Sequence, residues 1–270
     1  MARPEFDIVV IGGGSGGLVV AAGGTALGAK VALVERDRLG GDCLWTGCVP
    51  SKALLRSARL AHEMREAARW ALAPADPAPE LARVMERVQA VIAAIEPNDS
   101  PERFRGLGVD VIFGDGRFVS PTAFEVGGRR LTARTFVIAT GSRPAVPPVP
   151  GLDAVPYLTN ESLFALRENV PHLAVIGGGP IGVEMAQAFR RLGSAVTVVE
   201  MGPAILPKED ADLAAVVAGK LALEGVALQC GTTVERIGGR AGALVLELRT
   251  NGAAHTLAAT HVLVATGRAL

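Results

Sequence analysis

The chain carries one strand–glycine loop–helix–strand pattern twice, and few folds can hold such a repeat. The first copy begins Asp7-Ile8-Val9-Val10-Ile11, passes Gly12-Gly13-Gly14-Ser15-Gly16-Gly17, and ends Lys30-Val31-Ala32-Leu33-Val34-Glu35. The second begins Leu173-Ala174-Val175-Ile176, passes Gly177-Gly178-Gly179-Pro180-Ile181-Gly182, and ends Ala195-Val196-Thr197-Val198-Val199-Glu200. The spacing from first glycine to closing glutamate is the same in both, 12 to 35 and 177 to 200. Each copy has a later echo, Phe136-Val137-Ile138-Ala139-Thr140-Gly141 and Val262-Leu263-Val264-Ala265-Thr266-Gly267. Short continuous apolar runs rich in Val and Ile read as strands buried on both faces. The stretches Ser15 to Gly28 and Ile181 to Gly193 have helix length and end at glycine. The expected fold class is α/β, with two Rossmann-like dinucleotide-binding domains.

Each loop residue has a physical task in such a site. Gly12 and Gly177 turn the chain tightly out of the strand, Gly14 and Gly179 let a pyrophosphate approach the backbone, and Gly17 and Gly182 let helix and strand pack closely. The helix N-terminus offers unpaired N–H groups and a positive dipole end to the phosphates. Glu35 and Glu200 stand where a carboxylate accepts hydrogen bonds from both ribose hydroxyls of an adenosine. At the second site a carboxylate repels the 2′-phosphate of NADP, so NAD(H) is expected there. Arg190 and Arg191 are read as part of a solvated helix face.

The rest of the chain narrows the choices. Residues Ser142 to Pro156 hold five prolines and read as an extended linker. Ala53 to Ile95 reads as helical, broken at Pro74, Pro77 and Pro79, and short strands and hairpins are expected over Val109 to Val137 and Val226 to Val264. Lys and Arg number 27 against 27 Asp and Glu. That balance excludes the basic footprint of a nucleic-acid or polybasic membrane partner. With no apolar run of about 20 residues to span a bilayer, the expectation is a cytoplasmic protein. His62, His172, His255 and His261 read as surface or turn residues, Cys230 as an inert core thiol.

Between the two copies lies Gly40-Gly41-Asp42-Cys43-Leu44-Trp45-Thr46-Gly47-Cys48-Val49-Pro50-Ser51-Lys52. Cys43 and Cys48 are spaced to face each other across about a turn of helix, where a small, strained, reducible disulfide can form. Two cysteines alone make no zinc site, so a metal role is disfavoured, and two separate core thiols are the remaining alternative.

This segment, together with both glycine loops, resembles the FAD-dependent pyridine nucleotide–disulfide oxidoreductases, the family of dihydrolipoyl dehydrogenase, glutathione reductase and mercuric reductase. The resemblance covers essentially the whole chain. It implies an FAD-binding domain over residues 1–150 that carries the redox cysteines, and an NAD(P)-binding domain over residues 151–270. FAD then belongs to the first loop, with Gly12, Gly14, Gly17, Glu35, Thr140 and Gly141, and the nicotinamide cofactor to the second, with Gly177, Gly179, Gly182, Glu200 and Gly267. It further implies that Cys43 exchanges with substrate, that Cys48 sits against the flavin, and that Lys52 lies near the flavin and pairs with Glu184. Electrons would pass between NAD(H), FAD and the Cys43–Cys48 disulfide, and on to a small-molecule disulfide or thiophilic acceptor.

Within the family, Glu200 favours a dihydrolipoyl dehydrogenase-like enzyme. Ile95-Glu96-Pro97-Asn98-Asp99-Ser100, Leu158-Thr159-Asn160-Glu161 and Ile205-Leu206-Pro207-Lys208-Glu209-Asp210 look more like the mercuric-reductase-like branch. Trp45 departs from the asparagine common at its position, and Gly23-Gly24 interrupt a helix at about 1 kcal/mol each against alanine. Family members are homodimers that continue well beyond 270 residues, into a second FAD segment and a dimerisation domain. The chain therefore reads as C-terminally truncated, and a short NAD(H)-binding product without turnover is the non-enzyme alternative.

Overall fold

In the computed structural model, which describes residues 3–270, the first copy becomes β1 (Phe6–Ile11), α1 (Ser15–Ala26) and β2 (Val31–Glu35). Helices α2 (Gly41–Trp45), α3 (Cys48–Arg65), α4 (Leu81–Ile95) and α5 (Pro101–Gly106) follow, with the Pro74–Pro79 segment falling between α3 and α4. Strands β3 (Asp110–Phe113), β4 (Gly116–Ser120), β5 (Ala123–Val126) and β6 (Arg129–Ile138) complete a sheet of order β3-β2-β1-β6-β5-β4. The strands β3, β2, β1 and β6 pair in parallel, while β6, β5 and β4 form an antiparallel meander.

Alternation along these strands supplies both faces of the core. Val10, Val31 and Leu33 pack with Leu18 and Ala21 of α1 and Phe104 of α5. Val9, Ala32 and Val34 point the other way, into Phe124, Val126 and Leu131 of the meander. Burying each such Val, Leu or Phe side chain contributes about 1.5–3 kcal/mol.

The Pro-rich linker carries only β7 (Arg143–Pro144) and a single turn at Leu152–Ala154, and the short α6 (Asn160–Leu163) follows it. The second copy is β8 (His172–Ile176), α7 (Pro180–Arg191) and β9 (Ala195–Val199). After α8 (Ala211–Leu223) come β10 (Ala227–Gln229), β11 (Thr232–Arg240), β12 (Ala243–Thr250), β13 (Ala253–Ala259), β14 (His261–Val264) and β15 (Arg268–Ala269). A parallel sheet runs β10-β9-β8-β14, β11-β12-β13 form an antiparallel sheet, and β15 pairs with β7. Leu244, Leu246 and Leu248 of β12 pack with Ala174, Ile176, Val262 and Val264 of the parallel sheet.

The chain divides into two compact units. One holds the residues up to Val49 with Ala90–Ser142 and Leu270; the other holds Pro50–Gln89 with Arg143–Ala269. Helices α3 and α4 carry the chain across that division.

The two echoes differ. Residues 136–139 were expected to form a short buried strand like residues 262–265. Instead Phe136 to Ile138 end the ten-residue β6, whose first part pairs antiparallel with β5 and whose last part pairs parallel with β1. In the second copy Thr260 separates these jobs between β13 and β14, and its backbone and side chain both bond the His172 carbonyl. That break lets the antiparallel sheet fold over β14, so Val262 to Val264 are buried. The meander stays in plane with β6, and Ile138 is 67% exposed.

Candidate functional site

Both loops are built by collisions that only glycine avoids. Gly12 and Gly177 take φ of 108° and 106°, and a Cβ on either would strike the carbonyl of Ala139 or Ala265. A Cβ on Gly17 or Gly182 would strike the carbonyl of Gly12 or Gly177. Gly14 and Gly179 are different. Their φ values of −77° and −71° suit any residue, and a Cβ would meet nothing closer than Gly41 Cα at 3.8 Å in the first loop and nothing within 4 Å in the second. Neither helix start has a side-chain cap. The chain itself thus gives no reason for glycine at these two positions, and the open space lies beside unpaired helix N–H groups. Such a cradle fits a pyrophosphate.

The two glutamates fold back onto their loops. Glu35 Oε2 accepts from Gly13 N at 2.6 Å, and its Oε1 accepts from the backbone of Arg36 and Asp37 at 2.8 and 3.0 Å. Glu200 Oε2 accepts from Gly178 N at 2.6 Å and Oε1 from Gly202 N at 2.7 Å. A carboxylate has about four acceptor sites, so each keeps capacity for a ribose hydroxyl. Each glutamate lines a cavity with its loop. The first, of about 220 Å³, adds Arg36, Gly114, Asp115, Gly116 and Thr140 to Gly12 and Glu35. The second, of about 310 Å³, adds Met201, Thr232, Thr233 and Thr266 to Gly177 and Glu200. Gly141 and Gly267, the closing residues of the echoes, take φ of 71° and 133°.

Sequence reasoning missed a strap across each loop. Gly40 N donates to Gly13 O at 2.9 Å, and Leu206 N donates to Gly178 O at 2.8 Å. Leu39 and Ile205 lie where side chains at Gly13 and Gly178 would have to go. Both straps contain a positive φ, at Gly40 and at Leu206. The signal was one aliphatic residue four or five places beyond each glutamate, too short a pattern to notice unaided.

Arg190 and Arg191 do not form a solvated face. Arg190 Nε donates to the Glu224 carbonyl at 2.8 Å, and Arg191 grips the Glu224 carboxylate with two bonds of 2.7 and 2.8 Å. The Glu224 side chain is 3% exposed, and Lys220 and His62 also approach it, at 3.2 and 3.9 Å. Burial pushes the Glu224 carboxyl up, but the Arg191 and Lys220 hydrogen bonds outweigh it and hold the group below its usual range. The four histidines lie in regular elements rather than turns, His62 in α3 and the other three in β8, β13 and β14. Cys230 directly follows β10.

Cys43 lies in α2 and Cys48 opens α3, both as thiols that hydrogen-bond each other. Burial, the Cys48 contact and the charge of Asp99 push the Cys43 thiol up to about 11. The Thr46 hydroxyl donates to the Asp42 carboxylate, and Trp45 Nε1 donates to Leu39 O at 2.7 Å with the Arg38 guanidinium stacked on its ring. Trp45 therefore braces the strap from which α2 starts. In the second unit, Lys52 Nζ meets Glu184 Oε1 at 2.7 Å. Their side chains are 62% and 37% exposed, so the pair contributes roughly 0–1 kcal/mol to folding. Among the described residues, no group of three or more His, Cys, Asp or Glu could hold a metal ion, and no helix is long and apolar enough to cross a membrane.

Known proteins resemble this chain over nearly its whole length. A mercuric reductase of Bacillus cereus is 33% identical over 264 residues, covering 98% of this chain and 42% of the relative. A dihydrolipoyl dehydrogenase of Bacillus subtilis (strain 168) is 33% identical, covering 98% and 59%. The solved HOCl-induced flavoprotein disulfide reductase RclA of Escherichia coli superposes with a TM-score of 0.81 at 29% identity, over 97% of this chain and 56% of that one. The chain spans about half the length of the relatives it matches. The family model described as pyridine nucleotide-disulphide oxidoreductase matches residues 6–270, and the chain belongs to that family.

Proposed function

We propose that the chain binds FAD at the first glycine loop and NAD(H) at the second, and uses Cys43 and Cys48 to exchange electrons with a small-molecule disulfide or another thiophilic acceptor. Residues 1–150 would serve as the FAD-binding part and residues 151–270 as the nicotinamide-binding part. The observation that carries this reading is the pair of open cradles at Gly14 and Gly179, the first of them touching the glycine from which the Cys43 helix starts. FAD, when bound, supplies two-electron exchange with a nicotinamide on one side and with thiols on the other.

The chain's own residues hold and orient the reactants. The uncapped N–H groups of α1 and α7 receive the pyrophosphates, and Glu35 and Glu200 accept from the adenosine riboses. Glu200 closes the second loop and repels a 2′-phosphate. This supports NAD(H) over NADP(H). Cys43 attacks the substrate sulfur, and Cys48 then attacks Cys43 in the mixed disulfide and releases the second thiol. Lys52, fixed by Glu184, holds a positive charge on the same helix that Cys48 opens.

Spectroscopy tests the reading. The purified protein should be yellow or become so on FAD addition, and partial reduction by NADH should raise a long-wavelength absorbance band. Cys43→Ser should abolish disulfide reduction and leave flavin reduction by NADH intact. Colourless protein that takes up no FAD would sink the proposal.

A further inference from the structure

Helix α2 carries Cys43 and is only five residues long, too short to stay helical alone. What holds it from outside therefore sets where Cys43 points. At its start, Gly40 N donates to Gly13 O at 2.9 Å, and Gly41 stands against Gly14. Along its length, Leu44 is buried and packs on Gly40. At its end, Trp45 Nε1 donates to Leu39 O at 2.7 Å, and the Arg38 guanidinium covers the indole ring at 3.9 Å from its centre. Leu39 in turn fills the space that a side chain at Gly13 would need. The indole thus closes α2 back onto the strap from which it starts. All of these residues, and Cys48, lie in the first compact unit.

We propose that Trp45 is a positioning residue for Cys43: its indole bond to the Leu39 carbonyl fixes the rotation of α2, holds the Cys43 thiol towards Cys48 and so favours their disulfide. The inference rests on the reading of Cys43 and Cys48 as the redox pair. Residues two apart on a helix stand about 200° apart around its axis. Anchoring Trp45 to the strap turns Cys43 to the opposite side, where its thiol meets that of Cys48. The chain after α2 folds back to bring Cys48 there. Thr46 N donates to Asp42 O at 3.0 Å, and a Cβ on Gly47 would stand 3.7 Å from Cys43 Cα.

The Thr46 hydroxyl bond to Asp42 lies within the α2 turn, so it stiffens the turn without fixing its rotation against the strap. The indole bond does fix it. Two thiols on a freely rotating turn meet seldom; held on facing sides they have a higher effective concentration, and the equilibrium moves towards the disulfide. One neutral hydrogen bond can move such an equilibrium by up to about tenfold. For a two-electron couple that is about 30 mV. The dependence is reciprocal: a bond that favours the disulfide is itself strengthened, by the same factor, when the disulfide forms.

The test equilibrates the full chain, with Cys230→Ser to remove the third thiol, against reduced and oxidised glutathione. Cys43–SH plus Cys48–SH plus GSSG gives the Cys43–Cys48 disulfide plus two GSH, with no other reactant. Trp45→Phe keeps a ring beneath Arg38 and loses only the donor. It should lower the equilibrium constant for disulfide formation about 3–10-fold, whereas Arg38→Ala, which keeps the bond, should change it less than about 2-fold. Equal changes in the two variants, or a Trp45→Phe constant within about 2-fold of the parent, would overturn the proposal. A second readout needs no change at Trp45. Trp70 is 67% exposed, and Trp70→Phe leaves Trp45 as the sole tryptophan. Its indole proton should exchange with D2O about 3–10-fold more slowly in the disulfide form than in the dithiol form. Equal rates, or faster exchange in the disulfide form, would overturn the proposal even where Trp45→Phe does not fold. A parent that forms no Cys43–Cys48 disulfide overturns the redox reading and this inference together. A parent that forms it, with Trp45→Phe unmoved, overturns this inference alone.

Discussion

The two glycine loops share one backbone and differ in what leans on them. In each, a strand-leaving glycine sits under an Ala carbonyl, a helix glycine sits against the first glycine's carbonyl, and a glutamate closes back onto the middle glycine. In the first loop the strap runs straight into α2, the helix that carries Cys43. Gly40 bridges Gly14, and a Cβ on Gly41 would come within 2.6 Å of Gly14 Cα. In the second loop the strap passes through Leu206 and reaches α8, and nothing lies within 4 Å of the Gly179 Cβ position. One cradle is therefore coupled to a cysteine pair and the other is an open port. The difference is what would make one loop a holder of a resident cofactor and the other a site for a cofactor that comes and goes.

That comparison can be broken at several levels. The largest effect is expected at the positions common to both loops. Gly17→Ala and Gly182→Ala each drive a Cβ into a backbone carbonyl. Each should cost roughly 3 kcal/mol or more, read as a lowered urea midpoint or insoluble protein. Next comes the feature that separates the loops. Gly41→Ala adds a clash to a residue at φ 53° and should cost about 1–3 kcal/mol. It should weaken FAD binding and spare NADH binding; equal loss of both would show that the strap is not specific to the first loop.

A smaller effect is expected at the second port. Glu200→Ala removes the carboxylate that repels a 2′-phosphate, and should raise the NADPH-to-NADH affinity ratio by about 10-fold. An unchanged ratio would move the discrimination elsewhere. The smallest effect lies at the His62–Glu224 contact. Burial holds His62 below its ordinary value of 6.5, against the pull of Glu224 and with the push of Arg191 and Lys220. The unfolded chain therefore takes up this proton first, and stability should decline as pH falls through 6.5 and level off below the folded value. Glu224 adds its own loss only at lower pH, as its depressed carboxyl protonates. His62→Gln should flatten the first decline in a series of thermal melts.

The strands, helices and both loops were legible because their signals are local. A run such as Val31–Val34 must be buried on both faces, and a glycine under a carbonyl cannot be anything else. What escaped depends on partners far along the chain. Arg191 looks like a surface residue until Glu224, 33 residues later, folds over it. Ile138 looks like Val264 until the meander stays in plane rather than covering it. The straps escaped for a different reason, since each is one backbone hydrogen bond that almost any residue can donate.

The central claim is that Gly14 and Gly179 are glycine for the sake of two separate ligands. Purified Gly14→Ala and Gly179→Ala proteins should therefore melt within about 1 kcal/mol of the parent, because neither Cβ meets the chain. In titrations followed by flavin absorbance and NADH fluorescence, Gly14→Ala should lose FAD and keep NADH, and Gly179→Ala should keep FAD and lose NADH. Two variants that bind both nucleotides as the parent does would contradict the account.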